Sequence, residues 1–203
     1  MPINAQDLAA RLALATAEHT VKGAPFRSVC AELQSLPASA ARDTLMATHK
    51  KAAWQELASF PVADYLRLAF SAAELLEPQT GSFDAALTLL GFKVADAFIK
   101  SVVGRVAVMM ATGKNPLDIL SYAPVTYAPV SSYGKRTFAR LGPGEAVFRV
   151  REDFLPAAYH LGAIRCGMGI NGHTPEVEAK TLSLLDCDVV VRWSPPAVAR
   201  KAS

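Results

Sequence analysis

Residues 135–193 read KRTFARLGPGEAVFRVREDFLPAAYHLGAIRCGMGINGHTPEVEAKTLSLLDCDVVVRW, and their periodicity decides the fold. Two runs, 135–141 and 145–151, alternate apolar and polar side chains. The link Leu141-Gly142-Pro143-Gly144 supplies the backbone freedom that a short hairpin loop needs. On the second run Ala146, Phe148 and Val150 share one face, and Glu145, Arg149 and Arg151 share the other. That is the pattern of a half-buried antiparallel strand. A second hairpin is expected over 176–184 and 187–193, turning at Leu185-Asp186, with Cys187, Val189, Val191 and Trp193 on one face. Between the hairpins Pro156 can open a helix running to about Ile170. The sum is a ββαββ unit.

That helix contains Gly162, Gly167 and Gly169, each costing up to about 1 kcal/mol of helix stability relative to alanine. Two arrangements would offset the cost. Either the helix approaches the sheet closely, or the missing side chains make room for a ligand or a second subunit.

Helical sequence precedes the unit. Apolar spacing predicts helices over 6–18, 26–33 (opened by Pro25), 39–52 (capped by Ser39) and 62–76. The last has the clearest period, Tyr65, Leu68, Ala69, Ala72, Leu75 and Leu76, with Pro78 as its stop. Ser82 caps a helix over 83–100, 101–112 continues or kinks from it, and Asn115-Pro116 opens a short helix to about Tyr122. Residues 123–134, with two prolines and two tyrosines, read as an extended crossover. The expected fold is therefore α+β: a multi-helix region (1–122) and the crossover (123–134) packed on a four-stranded antiparallel ββαββ unit (135–193). These form one domain, 1–193, with a flexible tail, 194–203.

The 203 residues are 51% hydrophobic with a mean hydropathy of +0.21, which suggests close helix packing and a buried subunit interface. No run reaches the roughly 18–20 apolar residues of a membrane span, because 101–112 is broken by Gly104 and Arg105. The start, MPINAQDLAARL, lacks the cationic and apolar regions of a signal peptide, so a cytoplasmic location is expected. Cys30, Cys166 and Cys187 are widely spaced and read as reduced thiols. The net charge is +3, and Lys135, Arg136, Arg140, Arg149 and Arg151 form a mildly basic, solvated face. Neither nucleic acid nor a membrane is an expected partner.

No catalytic constellation is legible. His19, His49, His160 and His173 fall in four separate segments, and GxSxG, P-loop and HExxH motifs are absent. GMGING reads as a helix C-terminus stopped by Asn171-Gly172 rather than a dinucleotide loop. Asp64, Glu74 and Glu77 read as solvated. A non-enzyme is expected.

VKG with Phe26, the run DYLRLAFSAAELLEP, the run ALTLLGFKVADAFIKSVVGR, and AYHLGAIRCGMGI leading to VVVRW carry a resemblance. With these the chain resembles a family of myxobacterial proteins of about this length and of unknown function. That family is in turn similar in layout to haem-NO-binding and 4-vinyl-reductase-type sensory domains. The resemblance implies helices before a ββαββ-like sheet, with a small ligand held between them. A haem-NO-binding protein needs an axial histidine on a central helix and a Tyr-x-Ser-x-Arg crossover. Residues 83–112 contain no histidine, and Tyr127, Ser131, Ser132, Tyr133 and Arg136 lack that spacing. Haem is therefore not expected. Vinyl-reductase-type domains hold zinc near the last helix and hairpin, where this chain has His160, Cys166, Glu178 and Cys187 at a different cysteine spacing. Those four are the alternative metal set, although no cofactor is expected.

Two function classes remain. The first is a cytoplasmic small-molecule-binding or sensory domain with an apolar pocket between helices and sheet. Its lining candidates are Phe92, Phe98, Met109, Met110, Tyr127, Tyr133, Tyr159 and Trp193. The second is a homodimeric protein-interaction module for signalling, without a ligand, using the glycine-rich helix or a sheet edge.

Overall fold

The computed structural model of the chain describes residues 3–49, 54–111, 115–170 and 172–193. Helix α1 covers Ile3–Leu14, strand β1 Thr20–Lys22, and helices α2 and α3 Gly23–Ser35 and Ala40–His49. Strand β2, Ser59–Pro61, leads directly into α4, Val62–Thr80. Then come α5, Phe83–Lys100, α6, Val102–Ala111, and α7, Pro116–Tyr127. The C-terminal part is β3, Lys135–Gly142, β4, Glu145–Arg151, α8, Ala157–Gly169, β5, Glu176–Thr181, and β6, Cys187–Arg192. The fold is α+β, and its four C-terminal strands form one antiparallel sheet in the order β3-β4-β6-β5. The expected tail, 194–203, and the side chain of Met110 lie outside the described residues.

Side-chain caps explain the starts of α5, α7 and α3. Ser82 Oγ accepts from the Ala85 N–H at 3.1 Å, Asn115 Oδ1 from the Asp118 N–H at 3.1 Å, and Ser39 Oγ from the Arg42 N–H at 3.2 Å. Helix ends depart further from expectation, and α1 stops at Leu14 rather than at 18. Helix α4 passes through Pro78 to Thr80 and stops at Gly81, whose φ of 87° lets its N–H reach the Glu77 carbonyl at 2.9 Å. Pro78 sits in the last turn, where it removes a single ladder bond, so it does not end the helix. Helix α7 likewise absorbs Pro124 and continues to Tyr127, which shortens the crossover to 128–134.

The two-stranded sheet β1-β2 was not expected, because three residues are too few for alternation to register. This small sheet anchors the crossover. The Lys22 N–H donates to the Val130 carbonyl at 2.8 Å, and the Ser132 N–H to the Thr20 carbonyl at 2.9 Å.

Apolar side chains collect in two clusters. One lies among α2, α4 and α5, with Phe26, Leu33, Tyr65, Phe70 and Leu90 buried. The other lies on the inner sheet face, where Phe148, Val150, Val189 and Val191 pack with Ile164 and Met168 of α8 and Ile119 and Leu120 of α7. Among the described residues no helix is long and apolar enough to cross a membrane.

Helices α5 and α8 join the two parts at a glycine notch. A Cβ at Gly91 would fall 2.0 Å from the Tyr159 carbonyl oxygen, and one at Gly162 would fall 1.9 Å from that of Thr88. Thr88 Oγ1 donates across the same contact to the Ala158 carbonyl at 3.1 Å. The close approach is thus helix to helix, not helix to sheet. Gly167 and Gly169 have no such neighbour within 4 Å.

This difference is measurable. We expect Gly162→Ala to lower unfolding free energy by about 3 kcal/mol, since backbone must move to admit a methyl group. Gly169→Ala should be neutral or stabilising by up to about 1 kcal/mol, as in an open helix position. Urea denaturation midpoints of the two variants check the contrast.

Candidate functional site

A cavity of about 640 Å³ lies among α2, α5, α6, α7, α8 and the crossover. Val94, Ala97 and Phe98 of α5, Ile119 and Leu120 of α7, and Ala163, Ile164 and Met168 of α8 give it apolar walls. Gly167 leaves its part of the wall without a side chain, so one of the helix glycines does make space. Among the described residues Arg136 of β3 is the sheet's contribution; α7 and α8 separate the rest of the sheet from the cavity.

The candidate lining residues divide. Phe98, Tyr127, Tyr133 and Tyr159 line the cavity. Phe92 and Met109 are 40% and 78% exposed and do not line it. Trp193 packs against the sheet cluster instead. Helix geometry accounts for Phe92, because Gly91 beside it faces α8.

The polar wall contains residues that the sequence reading passed over. Arg136 was expected on a solvated face, yet its side chain is 5% exposed. Its position pairs with Val150 and shares the inward parity of Phe138 and Phe148, a strand-parity signal that could have flagged it. Its guanidinium is ion-paired through Nη2 to Asp153, donates from Nη1 to the Tyr133 carbonyl at 3.0 Å, and stacks 4.6 Å from the Tyr127 ring centre. Asp153 is fully buried and accepts the Leu155 N–H at 2.9 Å. His160 is fully buried beside it, with Nε2 at 3.5 Å from Asp153 Oδ1 but without hydrogen-bond geometry. Tyr65 and Tyr159 share a hydroxyl–hydroxyl hydrogen bond of 2.7 Å.

Several buried groups here have no partner among the described residues: the Tyr127 hydroxyl, Arg136 Nε and both ring nitrogens of His160. Each such group costs about 1–3 kcal/mol, so their concentration in one cluster, with Tyr127 and Arg136 on the cavity wall and His160 behind it, is a strong departure from ordinary packing. Burial raises the phenols of Tyr65, Tyr127, Tyr133 and Tyr159, keeping them protonated donors.

The alternative metal set is not brought together. His160 faces Asp153, Cys187 points into the sheet core, and Glu178 lies on the opposite strand parity, paired with Arg192 at 3.3 Å. Burial pushes the Cys166 thiol up to about 11, and burial with the nearby Asp153 charge pushes Cys187 up to about 12. Among the described residues no group of three or more His, Cys, Asp or Glu is arranged to hold a metal ion.

Burial alone would raise the Asp153 carboxyl. The neighbouring His160 and Arg136 and the Leu155 N–H outweigh it and hold the carboxyl at about 2, against an ordinary 3.8. A depressed carboxyl stabilises the fold above its unfolded pKa, and that stabilisation is lost as pH falls from 3.8 towards about 2. We expect this loss to be on the order of 2 kcal/mol. Asp153→Asn should abolish that acid dependence while destabilising the neutral protein by about 3–5 kcal/mol, because Arg136 is left uncompensated. Urea melts at a series of acidic pH values test both statements.

The fold has close counterparts among solved structures. The Fe(II) unliganded H-NOX protein from K. algicida aligns with a TM-score of 0.66 and 11% identity, over 87% of this chain and 98% of that one. An H-NOX protein from S. oneidensis in the Fe(II)NO ligation state aligns with a TM-score of 0.66 and 10% identity, over 86% and 99%. An oxygen-binding H-NOX domain related to soluble guanylate cyclases gives 0.63 and 12%, over 90% and 100%. No curated protein matches the chain. A family model described as "Protein of unknown function (DUF2378)" matches residues 14–194. The chain belongs to that family.

Proposed function

We propose that the cavity binds a small apolar molecule and that the chain acts as a non-catalytic sensory or ligand-binding module. The carrying observation is a 640 Å³ space with apolar walls and, at one side, buried hydrogen-bonding groups that lack partners. Its volume falls in the range of about 300–1,000 Å³ typical of small-molecule sites. The layout it shares with H-NOX proteins, two of which are described as in an NO-ligated state and as oxygen-binding, supports the same general role.

Haem, named for the H-NOX family in one of the similar structures, does not fit this lining. Among the described lining residues there is no histidine and no cysteine. The buried phenols resist the ionisation that iron ligation needs, and Met168 would be a thioether without a histidine opposite. Of the cations on the lining, Arg136 is committed to Asp153, Arg27 to Glu56 and Lys100 to Asp96, and Lys22 donates to Ser59.

A second reading is favoured by one surface. Val102, Val106 and Met109 of α6 are 77%, 58% and 78% exposed at helical spacing, forming an apolar stripe without a partner among the described residues. A homodimer or signalling partner would use this stripe rather than the glycine-rich helix, whose Gly162 is already occupied by α5. On that reading Val106→Glu converts a dimer to a monomer in light scattering.

The cavity reading is tested by filling the cavity. Gly167→Leu should abolish binding of an apolar fluorescent naphthylamine, by tenfold or more, while leaving the thermal midpoint within a few degrees, since a Cβ there meets nothing within 4 Å. Equal binding by the variant and the parent chain would refute it.

A further inference from the structure

We propose that the ligand carries one uncharged hydrogen-bond acceptor, a carbonyl of the ketone, ester or quinone type, on an otherwise apolar body. The inference rests on the cavity reading and specifies what the cavity selects. Its basis is a count of donors and acceptors at the polar wall.

The spare groups are donors. Arg136 has no acceptor capacity, and its Nε–H is unpaired while Nη1 and Nη2 are engaged. The Tyr127 hydroxyl is unpaired, and its ring lies under the Arg136 guanidinium. In the Tyr65–Tyr159 pair one hydroxyl proton is used between the rings, which leaves the other to give. Each acceptor that faces these donors in the same cluster already holds a donor, and the two unpaired nitrogens of His160 lie off the cavity lining. Asp153 takes Arg136 through Oδ2 and the Leu155 N–H through Oδ1, and the Tyr133 carbonyl takes Arg136 Nη1. A ligand that relieves this imbalance brings an acceptor oxygen. A hydrocarbon leaves the donors unpaired.

Charge then separates a carbonyl from a carboxylate. The buried positive charge of Arg136 is matched by the ionised carboxylate of Asp153 in direct contact. The lining's other cations stand away from this cluster, Arg27 paired with Glu56, Lys100 with Asp96 and Lys22 donating to Ser59, so a second carboxylate at the polar wall would be buried without its own cation, which is strongly unfavourable. His160 is the other ionisable group packed on Asp153, and it does not line the cavity. The geometry points to a neutral acceptor.

The test uses the full chain and three probes of equal heavy-atom number: methyl octanoate, its isomer nonanoate, and undecane. Binding at neutral pH is read by displacement of the fluorescent naphthylamine. The ester should bind about tenfold or more tightly than nonanoate. Tyr127→Phe should weaken the ester by roughly two- to tenfold and leave undecane unchanged. The infrared carbonyl stretch of the bound ester should shift down and return towards its free position in that variant. The variant should fold, because the hydroxyl it removes has no protein partner. Should it not, the ester–nonanoate comparison on the unaltered chain decides alone. Nonanoate binding as tightly as the ester, or equal losses for ester and undecane in Tyr127→Phe, would overturn the acceptor assignment and leave the cavity reading standing. Failure of all three probes to bind would overturn both.

Discussion

The α5–α8 contact is the constraint on which the rest of the molecule depends. Gly91 and Gly162 bring two helix backbones together at distances that no side chain tolerates. This contact ties the helical part to the ββαββ unit. It also decides where space is left. The same two helices carry Val94, Ala97, Phe98, Ala163, Gly167 and Met168 beyond the notch, where they form cavity wall instead of contact. A fold that needs small residues at one end of a helix pair therefore gains an unfilled volume at the other.

A buried ionic cluster holds the third wall. Arg136 on β3, Asp153 after β4 and His160 on α8 meet with their side chains buried. Replacing such a cluster by apolar residues would usually be neutral or stabilising, so stability alone does not account for it. Its cation-π contact with Tyr127 and its bond to the Tyr133 carbonyl fix the crossover against the sheet. The crossover is fixed at its other side by β1. Cavity shape is thus set by two anchors that a scan for catalytic motifs would not find.

The sheet was legible because alternation over six to eight residues is a strong signal, and Phe148, Val189 and Val191 occupy the inward positions that parity assigns. Helix starts were legible where a cap stood in the sequence, as at Ser82 and Asn115. Helix ends were not, because Pro78 and Pro124 lie where one missing N–H is tolerated. For the site, residue type identified Tyr127, Tyr133 and Tyr159, but could not tell which face of α5 or α6 turns inward. Asp153 was missed, and His160 was named only for a metal set, because their pairing depends on how β4 delivers the chain to α8, a tertiary fact without a local motif. Arg136 was misread because a charged residue on a strand was assigned outward, against its own parity with Phe138.

The central claim is that a molecule occupies the cavity. Native mass spectrometry of the chain purified gently from its own cells, compared with the same sample denatured, tests this most directly. The account predicts a mass excess of a few hundred daltons or less, in keeping with a small-molecule pocket, lost on denaturation and absent from Gly167→Leu. A bare chain under gentle conditions that also takes up no apolar probe on titration would contradict it.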